Sequence, residues 1–155
     1  MKVTLKIPKP TSKTWTVKGK TSDELYKNMV KHKWWGRYLS NPNYGYKDKA
    51  GIVSELIFKP KPVIYMPVWS DYSKASKADK KLWDDMYKAL KKHEENHHTI
   101  LLSEAASWKK AMDKLGDVDK EKMETEWVKF NKATQAKQQS YDTKTHHGEK
   151  EGVSL

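Results

Sequence analysis

The order of apolar and polar positions predicts mainly strands in the first half of the chain. Residues 2–8 and 13–18 alternate apolar and polar side chains, which is typical of half-buried strands and predicts a hairpin or two adjacent strands. Residues 34–51 are rich in Trp, Tyr, Gly and Asn and predict a loop with an irregular strand. The β pattern resumes at 52–58 and 62–69. We therefore expect a small, mainly antiparallel sheet.

Helical spacing predicts one short helix inside this region and two long helices after it. Thr21 and Glu24 form a capping box that begins the short helix. No Pro or Gly interrupts residues 77 to 115, where we expect a long helix that Gly116 ends, and a second is expected from about 118 to 137. Their recurring apolar positions are Leu82, Met86, Leu90, Leu101 and Trp108, then Met123, Trp127 and Phe130. The predicted fold class is α+β.

Composition favours one compact domain over residues 1–155. Charged residues make up 33% and the mean hydropathy is -0.98, but seven Trp, eight Tyr and two Phe supply large side chains for a core. The net charge of +11 is dispersed along the chain, so it favours a general field over a local site. We expect a monomer.

The absence of cysteine limits the chemistry. With no Cys, the chain has neither disulfides nor thiolate ligands, and a zinc site needs His and carboxylate donors. The N-terminal residues lack a secretory signal pattern, and no apolar run is long enough to cross a membrane. We expect a soluble protein, and we favour secretion or a periplasmic location, with the signal removed, slightly over the cytoplasm.

The sequence His93-Glu94-Glu95-Asn96-His97 is an HExxH motif inside the first predicted long helix. Histidines four residues apart project from the same side of a helix, about 6 Å apart along its axis, and can share one metal ion. Helical projection places both on the apolar face, with Glu94 at its edge and Glu95 on the polar face. The motif predicts a zincin-like fold in which His93 and His97 bind one Zn²⁺ and Glu94 is the general base.

A third metal ligand must come from elsewhere, because catalytic zinc sites normally have three protein ligands. The metzincin continuation is excluded, since Ile100 and Ser103 occupy the positions of its glycine and third histidine. Glu104 lies about 10 Å beyond the motif along the helix axis, which is too far to bind the same ion. We expect it to be a buried-face carboxylate with a Lys, Trp or Tyr partner.

Residues further along the chain can supply this ligand. His146 and His147 lie about fifty residues downstream, a separation typical of ligands that the fold brings together. Glu124 or Glu126, on the last predicted helix, remain alternatives.

The order of several segments resembles a family of small bacterial proteins, once known only as a domain of unknown function, that are predicted to be secreted zinc-dependent proteases. The resemblance covers about residues 13 to 148. Its segments are WTVKGKTSDEL, PVW at 67–69, HEENH and a distal YDxxTxHG pattern formed by Tyr141, Asp142, Thr145, His147 and Gly148. The resemblance implies a metallopeptidase and selects His147 as the third ligand. Here an additional His146 precedes it, and residues 1–12 do not show the pattern of a secretory signal.

This function assigns further roles. Tyr141 or His146 would donate to the oxyanion of the tetrahedral intermediate. Asp142 would either hold a ligating imidazole through a hydrogen bond or cap a helix or turn. The predicted strand at 62–69 contains two prolines and precedes the catalytic helix, so we expect an edge strand that pairs with an extended peptide or protein substrate.

Two other functions compete with peptide hydrolysis. The first is a basic nucleic-acid-binding or envelope-binding module with a structural zinc site, supported by the charge and the aromatic content. No nucleic-acid motif is present, and a structural site would normally have four protein ligands, so we expect no specific nucleic-acid partner. The second is a zinc hydrolase acting on a non-peptide amide. For His32 and His98, roles outside the metal site are favoured.

Overall fold

The structure is a computed structural model that describes residues 1–155. It is an α+β fold, as predicted, with two small mixed sheets and three helices, two of them long. The element order is β1 (Lys2–Leu5), β2 (Thr11–Val17), α1 (Ser22–Met29), β3 (Arg37–Leu39), β4 (Tyr44–Lys49), β5 (Ile52–Phe58), β6 (Val63–Trp69), α2 (Lys77–Leu115), β7 (Val118–Asp119) and α3 (Lys120–Thr145). Short 3₁₀ turns occupy Tyr72–Lys74 and Glu149–Glu151.

The chain forms two compact units, and each long helix contributes to both. The first unit contains residues 1–10, 40–62 and 98–140. Its sheet has the order β1-β5-β4, with β1 parallel to β5 and β4 antiparallel to it, and β7 also pairs with β5. Its core includes a cluster of aromatic rings whose centroids lie 4.6 to 6.1 Å apart, formed by Phe58, Trp108, Trp127 and Phe130.

The second unit contains residues 11–39, 63–97 and 141–155. Its sheet has the order β2-β6-β3, with β2 parallel and β3 antiparallel to the central β6. The first part of α2 contributes apolar side chains to the core of this unit, which also receives residues from α1 and the C-terminus. The buried core members are Val17, Leu25, Met29, Ile64, Met66, Trp69, Trp83, Met86, Leu90 and Val153.

Local sequence signals account for the helix bounds. Helix α1 begins at the predicted capping box, where the Glu24 N–H donates to Thr21 Oγ1 over 3.3 Å. Helix α2 matches the predicted bounds and is followed by Gly116, whose φ of 77° is the left-handed conformation that glycine tolerates. Leu82 differs from the expected apolar stripe, because its side chain is 47% exposed.

Three predictions about elements were wrong. The first two strands do not form a hairpin, because β1 joins β5 in one sheet and β2 joins β6 in the other. Strand β6 is central in its sheet rather than an edge strand, since β2 pairs along its whole length and β3 pairs with residues 63–65 on its other side. Helix α3 continues to Thr145, eight residues beyond the expected end, because neither Pro nor Gly interrupts it. None of the helices has the length and apolar character needed to cross a membrane.

Candidate metal centre

The HExxH motif lies on α2 with both histidine rings buried. The His93 side chain is 3% exposed, His97 is 6% exposed, and their ring centroids lie 4.9 Å apart. Leu90 and Met86, one and two turns before His93, are also buried on this face of the helix. The two imidazoles therefore face the interior of the second unit from one side of a single helix, as the spacing of the motif predicted.

The third group at this position is the carboxylate of Asp142, from the last turn of α3. Its Oδ1 lies 3.0 Å from Nε2 of His93 and 2.8 Å from Nε2 of His97. One donor atom from each of these residues lies within 4.8 Å of the others, so the group could hold a metal ion. Burial raises the pKa of Asp142, but its hydrogen bonds to the two imidazoles outweigh this effect and hold the pKa well below its usual range.

The donor set matches the chemistry of zinc. Two imidazole nitrogens and one carboxylate oxygen are ligands that Zn²⁺ prefers, and three protein ligands leave one coordination position for water or substrate. Both Nε2 atoms are directed at the same carboxylate oxygen, which is the convergence that a shared cation requires. The residues present therefore fit Zn²⁺ as ligands, with one protein donor fewer than the four of a closed structural site.

Glu94 lies beside this group and is itself buried. Its side chain is 4% exposed, and burial raises its pKa to about 7, while the two histidines act to lower it. The backbone N–H of Tyr38 hydrogen-bonds to its carboxylate. Gly36 allows this close approach, because a Cβ there would lie 2.8 Å from Oε1 of Glu94. A carboxyl group with this pKa can both accept and release a proton near neutral pH.

Tyr141 packs against both imidazoles and belongs to a hydrogen-bonded chain. Its ring stacks on His93 at 4.8 Å and meets His97 edge-on at 5.0 Å. Its hydroxyl donates to Glu151, with oxygen distances of 2.8 and 2.9 Å, and accepts from the side-chain amide of Asn96 at 2.9 Å. The Tyr141 hydroxyl, predicted as an oxyanion donor, is therefore engaged by two side chains.

The structure does not bring the two distal histidines into the metal group. The His147 side chain is 83% exposed, and its Nδ1 lies 3.8 Å from Oδ2 of Asp142. His146 is exposed as well. Both have positive φ values, 49° for His146 and 53° for His147, in a turn that follows α3. The assignment of His147 as third ligand and of His146 as oxyanion donor therefore remains a prediction, and Asp142 occupies the position expected for the third ligand.

The alternatives considered from the sequence lie elsewhere. Glu126 is paired with Lys122 and Lys129 in the first unit. Glu104 forms an ion pair with Lys137, which confirms the predicted Lys, Trp or Tyr partner. The Nδ1 atom of His32 lies 2.6 Å from the Trp34 carbonyl oxygen.

Sequence reasoning missed one residue of the site and assigned another a different role. Glu151 follows the distal pattern, and its Oε1 lies 2.7 Å from Nδ1 of His93. No motif marks it, so only the fold reveals it. Asp142 was expected either to hold a ligating imidazole or to cap a helix or turn, whereas the structure places it in the group that could hold the metal.

Comparison with known proteins identifies the family. The chain belongs to DUF922, a family of bacterial proteins of unknown function. The family model matches residues 12–148 of the chain. This range includes the HExxH motif and Asp142, and it ends before Glu151. Neither a curated protein nor a solved structure matches the chain.

Proposed function

We propose that this protein is a zinc-dependent metallopeptidase. The proposal rests on one observation: donor atoms of His93, His97 and Asp142 lie within 4.8 Å of one another, beside the buried carboxylate of Glu94. Three side-chain ligands suit a catalytic ion, and the glutamate directly after the first histidine supplies the base that peptide hydrolysis requires. A structural zinc site needs neither the fourth free position nor this glutamate.

Each residue then has a defined role. A zinc ion held by the three donors would polarise the scissile carbonyl and lower the pKa of its bound water. Glu94 accepts a proton from the attacking water and later releases it to the leaving amine. The N–H of Tyr38 hydrogen-bonds to the Glu94 carboxylate and so orients it. In the metal-free protein, burial raises the pKa of Glu94 to about 7, which strengthens it as a proton acceptor, and a bound cation would favour its ionised form.

The proposed substrate is a peptide or protein. Because β6 is central, the substrate does not add to it along the length that β2 and β3 already occupy. The outer side of β3 carries the Tyr38 N–H that reaches Glu94, so this short strand and the active-site helix border the reacting groups. We therefore place the scissile bond next to Glu94, His93 and His97.

The test combines metal analysis with hydrolysis of a fluorogenic peptide library. We expect about one zinc per chain in the wild type and in Glu94→Gln, and a loss of hydrolysis of at least about 100-fold in that variant. Glu95→Gln is the matched control, because Glu95 is the exposed neighbour on the same helix, and its rate should stay near wild type. A wild-type protein that takes up no zinc, or a Glu94→Gln variant that keeps its rate, would refute the proposal.

A further inference from the structure

Glu151 contacts the metal centre from outside the group of three donors. Its Oε1 lies 2.7 Å from Nδ1 of His93, on the side of the ring opposite the Nε2 that faces Asp142. The same oxygen accepts from the hydroxyl of Tyr141 at 2.9 Å. A carboxylate at this position can only accept, so it pairs with a protonated Nδ1. In the metal-free protein, Nε2 of His93 is hydrogen-bonded to Asp142. With the proton of the neutral ring held on Nδ1 by Glu151, the Nε2 lone pair would be directed at a cation that takes the place of this hydrogen bond.

The chain that carries Glu151 is held at both ends. On one side, Gly148 has a φ of 89° and passes against the His93 ring, so that a Cβ there would lie 3.1 Å from Cγ of His93. On the other side, Val153 is buried in the core of the second unit. The N–H groups of Glu151 and Val153 both donate to the Gly148 carbonyl, at 2.9 and 3.1 Å. The turn therefore fixes where the Glu151 carboxylate lies.

A second chain of contacts orients the same carboxylate. Asn96, one residue before His97 on α2, donates to the Tyr141 hydroxyl, which in turn donates to Glu151. The Tyr141 ring is stacked on the His93 ring that Glu151 contacts. Glu151 is thus restrained by hydrogen bonds to two side chains that are packed on each other, although its own side chain is 30% exposed.

We propose that Glu151 is a positioning residue that fixes the tautomer and the orientation of His93 for metal binding. The inference rests on the metal site of the proposed function, and it concerns a residue beyond the family match. A partner on the second nitrogen of a ligating histidine raises the basicity of the ligand, and its loss typically weakens metal affinity by about 10- to 100-fold. Glu151 does not contact the reacting atoms, so its effect acts through His93.

The test measures zinc affinity by competition with a chromophoric chelator. Glu151→Ala should bind zinc about 10- to 100-fold more weakly than the wild type. Glu151→Gln should recover most of the affinity, because its amide oxygen still accepts from Nδ1–H. Glu149→Ala is the matched control, since Glu149 is an exposed glutamate in the same 3₁₀ turn, and it should bind zinc as the wild type does. Glu151→Met, which keeps the length of the side chain, replaces the alanine variant should that protein fail to fold.

A spectroscopic measurement separates positioning from a general structural effect. In zinc-loaded protein with ¹⁵N-labelled histidine, the Nδ1–H proton of His93 should give a slowly exchanging downfield signal. This signal should persist in Glu151→Gln and disappear in Glu151→Ala. Equal zinc affinity in the wild type, Glu151→Ala and Glu151→Met would overturn the inference while leaving the metal site intact. Absence of zinc binding in the wild type would instead refute the proposed function.

Discussion

The burial of Glu94 predicts a pH-dependent cost to the stability of the metal-free protein. Its pKa is about 7 in the folded chain and 4.5 as an ordinary glutamate, so the folded state holds the proton more tightly than the unfolded state. The stability that this provides is fully present below pH 4.5 and is lost as the pH rises through about 7. Ionised Glu94 therefore lowers the free energy of unfolding at alkaline pH.

The magnitude follows from the difference between the two pKa values. At 1.36 kcal/mol for each pH unit, the difference between 7 and 4.5 corresponds to about 3 kcal/mol at pH 8. The side chain is 4% exposed, so solvent screens this cost little. The charged groups around it are His93 and His97, which lower its pKa, and Asp142, which raises it.

Glu94→Gln removes the ionisation while keeping the shape of the side chain and an oxygen that accepts from the Tyr38 N–H. We expect the variant to be close to the wild type in stability at pH 4.5. It should become more stable than the wild type by about 3 kcal/mol at pH 8. The assay is urea unfolding of chelator-treated protein across this pH range. The quantity compared is the difference in unfolding free energy between the wild type and Glu94→Gln, because the contributions of other titrating groups largely cancel in that difference.

A zinc titration provides an internal control. A bound cation beside Glu94 favours its ionised form. With saturating zinc, the difference in unfolding free energy between the wild type and Glu94→Gln should therefore depend less on pH. If the unfolding free energies of the wild type and Glu94→Gln differ by a constant amount from pH 4.5 to 8 without metal, burial does not raise the pKa, and the account given for this residue is wrong.

Three other predictions test the construction of the site. Asp142→Ala should lose most of its zinc affinity and His147→Ala should retain it, and the reverse result by chelator competition would restore the histidine as third ligand. Gly148→Ala should be destabilised by about 2 kcal/mol or more, because its φ is 89° and its Cβ would lie 2.7 Å from a buried valine methyl. Gly51→Ala is the control and should show only backbone strain of about 1 kcal/mol, since no atom lies near its Cβ. Urea unfolding measures both variants. Gly36→Ala should lose about 1 to 3 kcal/mol and most hydrolysis, since its Cβ would lie 2.8 Å from a buried leucine, and wild-type stability would show that the helix can move aside.

Helix α2 shows what the sequence is able to specify. Its bounds, the inward direction of both histidines and the burial of Met86 and Leu90 all follow from local spacing and from the absence of Pro and Gly. These properties depend on residues within a few turns of one another, so periodicity is sufficient to predict them.

Strand pairing was harder to predict because it depends on contacts between distant residues. The alternation in residues 2–8 and 13–18 identified strands, and it contains no information about partners. Strand β1 pairs with β5 and β2 with β6, each about fifty residues away, so adjacent strands entered different sheets. The two prolines of the predicted strand at 62–69 suggested an edge, yet Pro67, the one that lies within β6, is buried and paired in register with Trp15. Strand β3 pairs only with residues 63–65 of β6, so Pro67 lies beyond the end of that pairing.

The distal YDxxTxHG pattern has an explanation in backbone geometry that differs from metal ligation. The N–H of His147 donates to the carbonyl of Asp142 at 2.8 Å, and the N–H of His146 donates to that of Thr143 at 3.4 Å, with His146 left-handed. This is the Schellman arrangement that ends a helix. Thr145 adds a hydroxyl that accepts from the Gly148 N–H at 3.2 Å.

In this arrangement, each part of the pattern contributes to bringing two carboxylates to one histidine. The helical part places Asp142 at Nε2 of His93, and the turn reverses the chain so that Glu151 reaches Nδ1 of the same ring. The backbone of His147 supplies the hydrogen bond that closes the helix, which requires no imidazole. Since any non-proline residue can donate that bond, the exposed His147 ring is not needed for the turn. A loss of zinc in His147→Ala would therefore come from the imidazole, either as a ligand or through its contact with Asp142 at 3.8 Å.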